Sequence, residues 1–361
     1  MSAQPNVGMK PAQFENPMGV DGFEFVEFAA PDAKLLHDLF PRLGFTPVAR
    51  HKKQKITLYR QGDCQFLVNE EPGSFAADFA ARHGPCACGF AIRFSKPAAW
   101  VREQAVKNGA QSVNKETTKA VNTPVIQGIG GSMLYLVDRY GAKGEVYADE
   151  FDYLPGVERR PEGFGLTFVD HLTHNLYFGN MEKFADFYHQ LFNFREIRYF
   201  DIKGVKTGLV SKAMTAPDGM VRIPLNESND PKSQINEYLD EYKGEGIQHI
   251  ALFTNDVYAT VEAMRAAGVE FLDTPDAYFE MIDERIPDHG EDVPRLARNK
   301  ILIDADRETK KQLLLQIFTQ NCIGPVFFEI IQRKGNQGFG EGNFQALFES
   351  IERDQMKRGV L

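Results

Sequence analysis

Cysteine is scarce in this 361-residue chain. Four cysteines cannot build a disulfide framework, and only Cys86 and Cys88 stand close enough in sequence to suggest a shared metal. A zinc site needs a second such pair or a histidine at defined spacing, and neither follows, so both read as buried free thiols. No apolar run approaches the roughly 18–20 residues that span a bilayer, which argues against a membrane partner. The opening stretch MSAQPNVGMKPAQFENPMG lacks a basic segment followed by an apolar one. A secretory signal is therefore not expected, and a cytoplasmic location is. Positive charge is in deficit: 41 Lys and Arg against 50 Asp and Glu leave −9, so no net field draws nucleic acid. What is present is 43% hydrophobic and 25% charged residues, the balance of a globular protein with a large core. At roughly 150 residues per domain, the length suggests two domains.

Internal repeats organise the chain. DGFEFVEFAAPDAKLLHDLFPRLGF, from Asp21, aligns without gaps on DHLTHNLYFGNMEKFADFYHQLFNF, from Asp170. Each reads as an alternating strand, a turn, then an amphipathic helix; in the second copy Phe184, Phe187, Tyr188 and Leu191 share one stripe. A second pair, CGFAIRFSKPAAWVREQAVKNGAQSV and IQHIALFTNDVYATVEAMRAAGVEFL, repeats strand, turn and helix, with Gly109 and Gly268 at the helix ends. The chain thus reads as four strand–helix–strand modules in two pairs, dividing near LPGVERRPEGFG. This predicts an α+β protein with domains at 1–158 and 159–361. Each domain is two paired βαβββ modules forming a cupped, barrel-like sheet, an arrangement that resembles the vicinal-oxygen-chelate fold. ALFESIERDQMKRG, residues 346–359, predicts a C-terminal helix.

Chemistry is confined to the second half. His171 and His249 lie in the first strands of its two modules, where this alignment puts Gly22 and Phe90 in the first half. A lone strand histidine is ordinarily a hydrogen-bonded core residue. Two at matched positions in paired modules point into one cup. Glu329, inside the apolar stretch GPVFFEII, supplies a third group, because a carboxylate is almost never buried unless paired or on a metal. Two imidazoles and one carboxylate fit the facial triad of non-haem Fe(II) oxygenases, and zinc accepts the same set. His174, three residues after His171, belongs on the opposite, outer face of the strand.

The stretches VDHLTHNLYFGNMEKFADFYHQLFNFREIRYFDIKG, GEGIQHIALFT, LLLQIF, FFEIIQRKG and GFGEGNFQALFESIERDQ are similar to the 4-hydroxyphenylpyruvate dioxygenase family. The resemblance runs from about residue 18 to the C-terminus and is strongest after residue 165. It implies an Fe(II) enzyme that takes a 2-oxo acid, 4-hydroxyphenylpyruvate, and O2 to homogentisate and CO2 in tyrosine and phenylalanine breakdown. It further implies iron ligands at His171, His249 and Glu329, and a homodimer or homotetramer.

The same resemblance implies a substrate pocket at Ser211, Asn226, Gln234, Gln248, Gln316, Phe318, Phe327, Phe339, Asn343 and Phe344. The amides and the serine suit a phenol, where a buried charge would be costly. Gln248 precedes a ligand on its strand and so faces away from it unless the strand is bulged. Phe339 and Phe344 flank the glycines of GFGEGNF, leading to a C-terminal helix that resembles the family's gate. Hydroxymandelate synthase, which shares the fold and substrate, carries a smaller aliphatic residue where Phe344 stands. Phe344 therefore favours ring hydroxylation. A ligand-binding protein or a metal-dependent isomerase of the same fold are the remaining alternatives.

Overall fold

The computed structural model describes residues 14–203, 208–306 and 308–344. Two sheets carry the chain. The first contains β1 (Val20–Ala29), β2 (Thr46–His51), β3 (Ile56–Gln61), β4 (Cys64–Asn69), β5 (Cys86–Phe94), β6 (Ser112–Val113), β7 (Val125–Gln127), β8 (Met133–Val137) and β9 (Phe151–Tyr153). Its order is β6-β7-β8-β5-β1-β4-β3-β2-β9. The second contains β10 (Leu166–Asn175), β11 (Arg195–Lys203), β12 (Gly208–Thr215), β13 (Arg222–Glu227), β14 (Gly246–Thr254), β15 (Leu302–Ala305), β16 (Leu313–Phe318) and β17 (Phe327–Lys334), in the order β11-β12-β13-β10-β14-β17-β16-β15. Apart from β9 at one edge, the two orders match strand for strand when one is reversed.

The expected modules explain this order. In each, the first strand is followed by a helix: Lys34–Arg42, Ala98–Lys107, Met181–Phe192 or Val257–Ala266. The helix crosses over so that the first strand pairs parallel with the last: β1 with β4, β5 with β8, β10 with β13, β14 with β17. Paired modules then join through the antiparallel contacts β1–β5 and β10–β14. The Met181–Phe192 helix buries Met181, Ala185, Tyr188, Leu191 and Phe192, with Phe184 and Phe187 packed at the margin. It closes at Asn193 in the left-handed conformation (φ 58°), which asparagine tolerates.

One apolar cluster joins both halves. Phe28 of β1 and Phe66 of β4 lie 6.4 and 5.9 Å, centroid to centroid, from Phe328 of β17. Gly130 marks a close approach across this seam: it adopts a positive φ of 61°, and a Cβ there would collide with the Glu245 carbonyl. A separate cluster, including Phe25, Leu58, Leu67, Tyr135 and Tyr147, fills the first cup with side chains. Cys86 and Cys88 are buried free thiols that donate to the carbonyls of Ala29 and Glu27.

Strand register fixes which residues of the two halves correspond, and it corrects two aligned positions. Val26 pairs with Phe90 and Glu27 with Gly89, as Leu172 pairs with Ile250 and Thr173 with His249. His171 therefore corresponds to Phe25, not Gly22, and His249 to Gly89, not Phe90. Tyr135, opposite Ala91, corresponds to Glu329, opposite Ala251. The first slip arises because the helix is 12 residues long in the second copy and 9 in the first. The second arises because Ser95-Lys96-Pro97 links strand to helix where Asn255-Asp256 does so in the other half. The contrast between halves stands: Phe25 and Tyr135 pack ring against ring at 5.1 Å where the second cup has a histidine and a glutamate. Residues 341–344 are helical, and the helix expected over 346–359 lies outside the described residues.

Candidate metal centre

The central strands of the second sheet hold the polar set. β10, β14 and β17 are adjacent, and their register sets His171 opposite Ala251, with Ala251 beside Glu329 on the other side. His171 Nε2 lies 3.2 Å and His249 Nε2 3.4 Å from the same oxygen, Glu329 Oε2. All three donor atoms fall within 4.8 Å of one another. His171 and Glu329 are buried, while His249 keeps 12% of its side chain exposed, so the centre opens on the His249 side. Glu329 Oε1 is buried without a hydrogen-bond partner, an unmet need that a cation between the three groups would satisfy.

Electrostatics fit the geometry. Burial alone would raise the Glu329 pKa, but the two imidazoles beside it more than offset this and bring it down to about 2. Burial also disfavours a charged His171, yet the Glu329 and Asp170 carboxylates on either side hold its pKa above the ordinary value. For His249, burial dominates and lowers it. The outer nitrogens are engaged as well. His171 Nδ1 lies 2.8 Å from Asp170 Oδ1 and His249 Nδ1 3.0 Å from Gln248 Oε1, so both rings turn Nε2 towards the centre.

Aromatic rings line the opening. Phe327 stacks on His249 at 4.9 Å and 22°, Phe318 lies 6.3 Å from the same ring, and Phe339 stands edge-on to His171 at 5.2 Å. Ser211 and Asn226 are register partners on β12 and β13, and Asn226 donates to Asn175 at 3.3 Å. Gln316 Oε1, Asn343 Nδ2 and Asn175 Nδ2 are buried without partners. Asn343 Oδ1 accepts from the Tyr278 hydroxyl at 2.7 Å, and the positive φ of Gly340 (80°) brings its backbone against Gln316. Phe344 is 36% exposed at the end of the described chain. Gln234 stands apart: it begins the Gln234–Tyr242 helix and is exposed.

Gln248 is buried, and its side chain reaches its neighbour's imidazole. That is a ring-holding contact which strand alternation alone did not suggest. The sequence reading also missed Asp170, Asn175, Arg333 and Phe200, whose ring lies 6.4 Å from that of Phe339. Asn175 shared the strand face of His171 by even spacing and could have been found. Arg333 likewise shared the strand face of Glu329 by even spacing; Asp170 and Phe200 carried no such signal.

His174 does lie on the other face of β10, as expected, but that face is not outside. It is buried in the core between the halves, 6.0 Å from the Phe90 ring, where the first half has Phe28. Burial pushes its pKa down to about 4, and its Nε2 has no partner. Unfolded histidine takes a proton near pH 6.5, so stability falls as pH drops from about 6.5 to about 4, by roughly 3 kcal/mol in all. Replacing His174 by leucine should remove that slope. Between pH 7 and 4.5, urea unfolding of the variant should lose about 2–3 kcal/mol less than the parent. Equal losses in both would show that His174 is not the titrating group.

A cupped mixed sheet with three convergent donors defines a member of the glyoxalase and dioxygenase superfamily. Residues 168–281 match the family model "Glyoxalase/Bleomycin resistance protein/Dioxygenase superfamily". Residues 14–152 match "Hydroxyphenylpyruvate dioxygenase, HPPD, N-terminal". The chain is 53% identical to 4-hydroxyphenylpyruvate dioxygenase of Pseudomonas sp. (strain P.J. 874), covering 96% of this chain and 98% of the relative. It is 54% identical to hemolysin VllY of Vibrio vulnificus over the same shares of each. A solved mutant of 4-hydroxymandelate synthase from Streptomyces coelicolor superposes with a TM-score of 0.78, covering 94% of this chain and all of that one. At 24% identity, that likeness speaks for the fold. The chain belongs to the 4-hydroxyphenylpyruvate dioxygenase family.

Proposed function

We propose that this chain is an Fe(II)-dependent dioxygenase that converts 4-hydroxyphenylpyruvate and O2 to homogentisate and CO2, in tyrosine and phenylalanine breakdown. His171, His249 and Glu329 would hold the iron. The observation that carries the reading is their convergence beside the unpartnered Glu329 Oε1, at positions where the first cup is filled by apolar and aromatic side chains. Three protein donors of this type leave room on the ion for the 2-oxo acid and O2. Bound iron would supply the activation of O2.

The chain's own residues do the rest. Phe318, Phe327 and Phe339 make an aromatic wall over the two imidazoles, suited to a phenyl ring held against the centre. Ser211, Asn226, Gln316 and Asn343 offer uncharged hydrogen bonds, and Gln234, exposed at the head of its helix, would join them only at the margin of the pocket. Those of Gln316 and Asn343 include buried atoms with unmet capacity, and such atoms discriminate strongly in favour of a partner of the right shape. Gln248 holds His249, and Phe344 narrows the entrance. Exclusion of water by this wall favours coupled turnover over side reactions. We further propose that domain 1–158 is structural, that domain 159–361 is catalytic, and that the protein is a cytoplasmic homodimer or homotetramer.

The test is anaerobic loading of the metal-free protein with Fe(II), then addition of 4-hydroxyphenylpyruvate and O2. Homogentisate is expected in equal amount to the CO2 released. Hydroxymandelate would keep the centre and overturn the role given to Phe344. Bound metal with no oxygen uptake would favour an isomerase or a binding protein.

A further inference from the structure

Behind His171 stands a charged group that the ligand set does not use. Asp170 is fully buried, and its Oδ1 faces His171 Nδ1 at 2.8 Å. Arg333, also buried, grips the same carboxylate with two parallel bonds, Nε to Oδ2 at 2.8 Å and Nη2 to Oδ1 at 2.7 Å. The remaining nitrogen of Arg333 is not idle. Nη1 donates to the carbonyl of Asn336 at 3.1 Å and of Gly338 at 2.6 Å, the two peptides leading into Phe339. Phe339 closes the loop: its ring lies 5.2 Å from the His171 ring and 5.8 Å from the Arg333 guanidinium carbon. Arg222 braces the same turn from the other side, donating Nη2 to Gln337 Oε1 at 2.7 Å, with Nη1 3.5 Å from Asp170.

These contacts form a circuit: Arg333 to Asp170, Asp170 to His171, His171 to Phe339, and Phe339 back to Arg333. Only a guanidinium can make it. The planar fork pairs two donors with a carboxylate while its third nitrogen points elsewhere, which a lysine ammonium cannot do. A buried carboxylate behind a ligating imidazole fixes the ring's tautomer and rotation, and losing such a partner costs 10–100-fold in metal affinity.

We propose that Arg333 is a positioning residue which, through Asp170, ties metal ligand His171 to the 336–339 turn, so that metal binding and the placement of Phe339 depend on each other. This rests on the metal-centre reading. Metal loading should then order the turn, and loosening the turn should weaken metal binding.

Two measurements on the full chain test it, neither of them activity: Fe(II) affinity of metal-free protein by chelator competition, and hydrogen exchange of peptides spanning 334–343 with and without Fe(II). In the parent, Fe(II) should slow exchange in that segment at least several-fold. Arg333→Lys should bind Fe(II) 10–100-fold more weakly and lose the metal-dependent slowing, with cooperative unfolding retained. Asp170→Asn, which keeps the shape of the contact, should lose affinity similarly and serves as the decisive variant if Arg333→Lys does not fold. Parent-like affinity and slowing in the variant that folds would overturn the proposal, as would a parent that binds Fe(II) with no change in exchange. A parent that binds no Fe(II) would instead refute the metal-centre reading.

Discussion

His171→Ala and Glu329→Ala each leave a protein that does not retain Fe(II), whereas His174→Leu retains it in full. This is the largest effect the structure predicts. Glu329 Oε2 is the point on which both imidazoles converge, at 3.2 and 3.4 Å, so removing the carboxylate takes away the one anionic donor that the described residues bring to the centre. Removing His171 opens a buried space and strands Asp170 and Arg333 behind it. Either loss should weaken metal binding at least about 1,000-fold, a difference of about 4 kcal/mol. His174 is the informative control. It is a histidine three residues from a ligand, yet it faces the inter-half core, with its ring near Phe90. Iron content after desalting, by plasma emission, would check all three variants. Loss of iron from His174→Leu would show that the strand-face assignment is wrong, and iron retained by Glu329→Ala would show that the centre is elsewhere.

Phe328→Ala should cost about 4 kcal/mol of folding stability, the heaviest penalty expected from a single apolar truncation here. The side chain is fully buried and stacked at 29° on Phe66 with Phe28 beside it, so the cavity would open at the joint between the halves. Little nearby can collapse into it, because Phe28 and Phe66 are fixed on paired strands of the first sheet while Phe328 is carried by the second. Phe178, 63% exposed, provides the comparison: its truncation should change stability by less than about 0.5 kcal/mol. Urea titrations of the two variants at neutral pH would decide it. A small loss at Phe328 would mean that the halves are not held together through this cluster.

Much of this was legible in the sequence for a definite reason. Repeated strand–helix patterns exposed four modules, and residues that violate the repeat stood out. His171, His249 and Glu329 are polar where the first half has Phe25, Gly89 and Tyr135. The misaligned partners, Gly22 and Phe90, came from trusting a gapless alignment across connections that differ in length. The helix pattern dominates such a match, and the strand ahead of it slips unnoticed. His174 was set on the correct face of its strand, but which face of a sheet meets another sheet depends on how halves pack, and no local pattern encodes that. Gln248, Asp170 and Arg333 were invisible in their roles for a related reason. Each acts on a neighbouring ligand, and a charged or amide residue in a strand gives no sign of what it touches across the sheet.

Phe328 and Glu329 are neighbours on β17 and face opposite ways, one into the joint between the halves, the other into the metal centre. A shift of this strand by a single residue against β14 would exchange them, driving a carboxylate into a cluster of phenylalanines and a phenyl ring between two imidazoles. Both errors would be felt at once, one as lost folding free energy and one as a lost ligand. The pairing frame of β17 is thus proofread twice by the same pair of side chains. Short insertions or deletions in the turn between β16 and β17 should be among the least tolerated changes in the chain.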